Sequence, residues 1–126
     1  MKDMNILEEY HERRNRGNEK ISSQNFLPYN RFFALDSRAY DEGEIPSRYK
    51  ELIGLCCSAV MRCNDCILYH LERCIEQGCT PGEINEALNI AQVIGGSIVI
   101  PHLRYAIESA DEVFKIKLQA TDNIQY

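Results

Sequence analysis

Cys63 and Cys66 form a C-x-x-C with Asn64 and Asp65 between them, and His70 follows four residues after Cys66. A thiol acts as nucleophile or metal ligand only as its thiolate, and a helix N-terminus or a neighbouring histidine favours that form. At 100° per helical residue, with Cys66 at zero, His70 falls near 40°, Cys63 near 60° and Cys74 near 80°. The four share one arc of about a quarter-turn. Residues three apart on a helix are close enough to bridge once the first turn loosens slightly. Three chemistries fit. A redox dithiol needs two close thiols, a thiolate-stabilising group and partial access. A zinc site needs four ligands around a tetrahedron, which one helix face cannot supply, although Glu51 or His102 would bring a third. The third is two partly buried cysteines beside a satisfied histidine.

The other candidates lie nearby. All six cysteines, Cys56, Cys57, Cys63, Cys66, Cys74 and Cys79, fall in one stretch between residues 56 and 79. The four outside the motif read as small buried hydrophobes, with Cys74 as a conceivable reserve thiol. Glu51 sits near a helix start, where the dipole favours a carboxylate. His102 follows Pro101 and either lines the same pocket or packs. Tyr69 and Arg62 flank the motif. Gly95-Gly96 is no phosphate loop, because no strand precedes it and no Lys-Ser/Thr follows.

The elements that must carry these residues read as all-α, about six helices. Pro28, Pro46, Pro81 and Pro101 divide the chain into helix-length segments, and nothing alternates with the period of a strand. The first segment runs from about Asp3 to Gly17 and is highly charged. The second, about Phe26 to Tyr40, carries Phe26, Leu27, Tyr29, Phe32, Phe33 and Leu35, a set expected in the core. The third starts at Ser47, with Leu52, Leu55, Cys56 and Ala59 as its apolar stripe. The fourth runs from Asn64 to Gln77, closed by Gly78. Thr80-Pro81-Gly82-Glu83 is a capping box for the fifth, whose apolar face is Ile84, Ala87, Leu88, Ala91 and Ile94. The last runs from about Ser97 to Lys117.

The chain has 126 residues with 14 Lys+Arg against 19 Asp+Glu, a net charge of -5. One domain is the expectation at this length. The acidity argues against nucleic-acid and anionic-membrane partners. No run of about 18 consecutive apolar residues reads as a transmembrane helix. The first ten residues lack the pattern of a signal peptide, so a cytoplasmic protein with reduced thiols is expected.

Glu51, Cys63-x-x-Cys66 and His70 together resemble the motif of the AhpD-like alkylhydroperoxidases of the carboxymuconolactone decarboxylase superfamily. Thr80 to Leu88 and Ile94 to Ser97 resemble the same family in the same order. The resemblance covers about residues 45–118, leaving 1–44 as an N-terminal helical extension of a single domain 1–126. It implies an AhpD-like helical bundle assembled as a homo-oligomer, trimer or hexamer. It implies a thiol-disulfide oxidoreductase, a peroxidase that reduces hydroperoxides, needs no cofactor and is restored by a dithiol or lipoyl-type protein reductant. By position Cys66 resembles the peroxide-attacking thiol, Cys63 the resolving thiol, and Glu51 with His70 the proton relay. The family's better-characterised members have histidine where this chain has Asp65. Two alternatives stand beside it: a decarboxylase-like enzyme acting on a small carboxylated ring compound, and a non-catalytic oligomeric module that binds metal or senses redox state.

Overall fold

The computed structural model describes residues 3–123, and these are helical with no strand among them. Six α-helices run in order: α1 (Ile6–Ser22), α2 (Leu27–Ala39), α3 (Ser47–Val60), α4 (Asn64–Glu76), α5 (Pro81–Gly95) and α6 (Ile100–Asn123). A 3-10 turn, Gly96–Val99, joins α5 to α6. The chain clusters into two compact units, residues 1–44 and 45–126.

In the second unit α3 packs on α4 and α5, and α4 packs on α6. Leu55 and Ala59 of α3 meet Ile67, Leu71 and Cys74 of α4, Ile84, Leu88 and Ala91 of α5, then Val99, Ala106 and Ala110. Full burial of each of the larger side chains stabilises by about 1.5–3 kcal/mol. These positions recur every three or four residues, which is why the helices face inward as they do.

Local signals set the boundaries. Asn5 caps α1, its side chain accepting from the Glu8 N–H at 2.9 Å. Thr80 and Glu83 close a reciprocal capping box on α5, and Pro81 fills its first turn. The ends of α3 and α4 share one design. At the end of α4, Cys79 N–H donates to the Cys74 carbonyl and Gly78 N–H to that of Ile75, with Gly78 at φ 84°. At the end of α3, Cys63 N–H donates to Ser58 and Arg62 N–H to Ala59, with Arg62 at φ 59°. Glycine is the usual residue at that left-handed position, and an arginine there carries strain of about 1 kcal/mol or more.

Three expectations are corrected. Helix α1 runs through Gly17 to Ser22, because a glycine inside a helix weakens it without ending it. The aromatic set of α2 is not core: no residue of α2 is buried, and Phe32 and Leu35 are 65% and 68% exposed. Two helices cannot enclose an apolar face by themselves, so a helical stripe need not be a buried one. Ile94 is likewise exposed, while Ile84, Leu88 and Ala91 of the same stripe are buried.

The helical stretch 81–121 is long and apolar enough, by length and composition alone, to cross a membrane. It is interrupted at Gly96, where φ is +78°, and both of its helices supply side chains to the core of the second unit.

Candidate active site

Glu51 lies one turn into α3, and His70 in the second turn of α4. The packing of these helices brings His70 Nδ1 to 2.9 Å from Glu51 Oε2. Both side chains are buried. A carboxylate can only accept, so Nδ1 is the donor in this bond.

The pair fits because Gly54 has no side chain. A Cβ there would stand 2.6 Å from Cε1, 2.8 Å from Nδ1 and 2.9 Å from Nε2 of His70. The Ser58 hydroxyl, one turn further on the same side of α3, donates to the Gly54 carbonyl at 2.6 Å. Tyr69 meets the imidazole edge-on with ring centroids 5.0 Å apart, and the Arg73 guanidinium lies 5.5 Å over the Tyr69 ring.

The two motif cysteines stand at the N-terminus of α4, joined by a disulfide with Cα atoms 5.3 Å apart. Cys63 is not on the helical arc the wheel assigns it: it is the N-cap, with φ -107° and ψ 100°. Its sulfur accepts from the Cys66 N–H at 3.3 Å, the position a serine or aspartate oxygen holds at an ordinary N-cap. Cys66 is exposed and Cys63 half-buried. From α6, His102 Nδ1 lies 2.8 Å from Asn64 Oδ1, inside the C-x-x-C itself.

The remaining cysteines divide by burial. Cys74 and Cys79 are buried, Cys56 is half-buried and Cys57 is exposed, so the expectation of small buried hydrophobes fails for Cys57. Burial pushes the Cys74 thiol far up, and raises Cys56 and, against the pull of Arg48, Cys79. Thiols held protonated in this way are poor nucleophiles. Away from Glu51 and Gly54 on the helical wheel, Cys56, Cys57, Leu52, Ile53 and Ile90 line an open apolar groove of about 410 Å³ between α3 and α5. Among the described residues, no three His, Cys, Asp or Glu side chains are grouped to hold a metal ion.

Sequence spacing alone leaves out two of these residues. Gly54 reads as an unremarked helix interior, although its missing side chain makes room for the histidine. Asn64 reads as a spacer between cysteines, although its side chain is engaged from another helix.

The model of the carboxymuconolactone decarboxylase family matches residues 28–110. The chain belongs to this family. The match begins at Pro28 and so takes in α2, earlier than the 45–118 suggested by the motifs. A carboxymuconolactone decarboxylase family protein of Thermotoga maritima superposes with a TM-score of 0.85 at 47% identity, over 89% of this chain and 95% of that one. A family protein of Legionella pneumophila, 22% identical over 84% of this chain and 95% of its own, shares the fold with a TM-score of 0.77. An uncharacterised protein of the cox locus of Paracoccus denitrificans is 28% identical over 82 residues, 65% of this chain and 74% of that protein.

Proposed function

We propose that this protein is a thiol-disulfide oxidoreductase whose Cys63–Cys66 dithiol reduces hydroperoxides. The observation that carries the reading is a bridged cysteine pair at the start of α4, with His70 one turn below Cys66 on that helix and paired, buried, with Glu51 of α3. A part in the antioxidative response has been suggested for the Thermotoga relative, which accords with it.

The step balances as follows. The Cys66 thiolate attacks the terminal oxygen of ROOH and the O–O bond breaks. Cys66 becomes a sulfenic acid, and the alkoxide leaves as ROH with a proton from the His70–Glu51 relay. The Cys63 thiol then attacks that sulfur, closing the disulfide and releasing water. A dithiol reductant, small or lipoyl-type and protein-borne, restores both thiols and is itself oxidised to a disulfide. With Nδ1 committed to Glu51, His70 Nε2 is the nitrogen that takes the Cys66 proton in this reading.

The protein works as a homo-oligomer, trimer or hexamer, in the cytoplasm, in this reading. Phe32 and Leu35 of α2, with Val93 and Ile94 of α5, are 65–75% exposed, and copies of the chain cover such apolar surface. Sedimentation equilibrium then gives a multiple of 14.5 kDa, and a clean monomer at micromolar concentration removes the assembly. The activity is tested by reducing the protein, adding an organic hydroperoxide and counting thiols. Two thiols per chain should disappear, mapping to Cys63 and Cys66. Unchanged thiol counts, or a disulfide elsewhere, would sink the reading.

A further inference from the structure

We infer that His102 is a positioning residue for the dithiol: through Asn64 it ties the C-x-x-C turn to α6 and holds the two thiols ready to close. The inference rests on the redox reading above and adds the residue that sets how readily the pair forms its bond.

The C-x-x-C turn is anchored unevenly. Cys63 is fixed by its backbone on both sides, its N–H donating to Ser58 O at 3.0 Å and its carbonyl accepting from Ile67 N–H at 2.9 Å. The next residues, Asn64 and Asp65, open α4, where backbone N–H groups have no partner within the helix. Asn64 does not cap its own helix, because the Cys63 sulfur holds that place. Its side chain turns to another element, and Oδ1 lies 2.8 Å from His102 Nδ1. An amide oxygen only accepts, so His102 Nδ1–H is the donor.

His102 can reach this point because the chain restarts there. Gly96 in the left-handed region and the 3-10 turn to Val99 end α5, and α6 begins at Ile100 with Pro101 and His102 in its first turn. Position 102 is also half-buried, so the ring has less freedom than a surface histidine. The consequence is chemical as well as structural. A disulfide forms when two thiols already sit at bonding range, and holding them there raises their effective concentration. When the dithiol is reduced, the covalent link that fixes the turn is gone. The Asn64–His102 hydrogen bond then remains to keep Cys66 over Cys63. Loss of either partner therefore moves the equilibrium towards the dithiol.

The test is the exchange of the dithiol with glutathione disulfide, which yields the protein disulfide and two glutathiones. The protein is equilibrated in glutathione buffers of known ratio, quenched with alkylating reagent and read by mass. Asn64→Ala and His102→Ala should each lower the equilibrium constant for disulfide formation by about threefold to tenfold, the worth of one hydrogen bond. The double variant should be no worse than either single one, and His102→Gln, which keeps a donor, should recover most of the loss. An Asn64→Ala constant within twofold of the wild type overturns the proposal, and so do additive losses in the double variant. If His102→Ala does not fold, Asn64→Ala at its exposed position still decides. A wild-type pair that does not titrate with glutathione at all refutes the redox reading; a pair that titrates normally while the variants do not shift refutes the positioning role alone.

Discussion

Gly54 lies flat against the imidazole of His70, so close that a methyl group in its place would stand within 2.9 Å of three ring atoms. A backbone position on α3 thereby decides where the imidazole on α4 sits. Gly54→Ala should gain about 1 kcal/mol of helix propensity and lose about 1–3 kcal/mol to overpacking. The His70 ring is pushed from its place beside Glu51. Hydroperoxide-driven thiol loss should slow by tenfold or more while the protein stays folded by circular dichroism. A variant with wild-type kinetics shows that the ring position does not matter to the chemistry.

Glu51→Gln keeps the shape of the pair and removes its charge. General acid-base assistance is worth about 10²- to 10⁴-fold, and a loss of that order in peroxide reduction is expected from stopped-flow measurements. Glu51→Ala should in addition cost about 1–3 kcal/mol, since it leaves the buried Nδ1–H unpaired. The two substitutions separate the proton path from the packing.

Alkylation of the reduced protein at neutral pH should take Cys66 first. It is the exposed member of the pair and stands one turn above His70, whereas the Cys63 sulfur is half-buried at the cap. Cys74 and Cys79 should resist reagent until denaturant is added, since both are buried and burial raises both thiols. His70→Ala should slow the Cys66 reaction and leave Cys57 unchanged. Peptide mapping that finds Cys63 labelled first reverses the two roles.

Helix α5 should loosen in acid. The Thr80 backbone N–H, and after it Arg48, hold the Glu83 carboxyl below its ordinary range. A depressed carboxyl contributes stability that is complete above the unfolded-state value, near 4.5, and is lost as pH falls through the folded one. Glu83→Gln should therefore lower the melting temperature by a few degrees at pH 7, with the two proteins converging as pH falls through the depressed folded-state value. Parallel melting curves across that range would show that the carboxylate plays no such part.

What the sequence discloses depends on how local the signal is. Thr80 and Glu83 are three residues apart, and their capping box was readable because the whole interaction lies within one turn. Cys66 and His70 share a helix, so their common side follows from its period, whereas Cys63 is the extended N-cap just before it and escapes that rule. Glu51 and His70 are 19 residues apart on two helices; no period joins them, and only the family resemblance put them together. Gly54 gave no sign, because the space a glycine leaves is visible only once its neighbour is known. Arg62 gave none either, standing where a helix end normally takes glycine. The stripe of α2 misled for a different reason. Periodicity tells which side of a helix is apolar and is silent on what covers it.

The Cys63–Cys66 bridge spans a sequence separation of three. Cross-links restrain an unfolded chain in proportion to the logarithm of the loop they close, and this one closes almost the smallest loop a helix allows. On a chain-entropy estimate it is worth about 2 kcal/mol, against about 4–5 for a loop of a hundred residues. Oxidation and reduction therefore leave most of the stability of the fold untouched. The redox cycle proposed above asks the pair to open and close many times, and a loop this small lets it do so without the helices around it melting, as a structural staple would not.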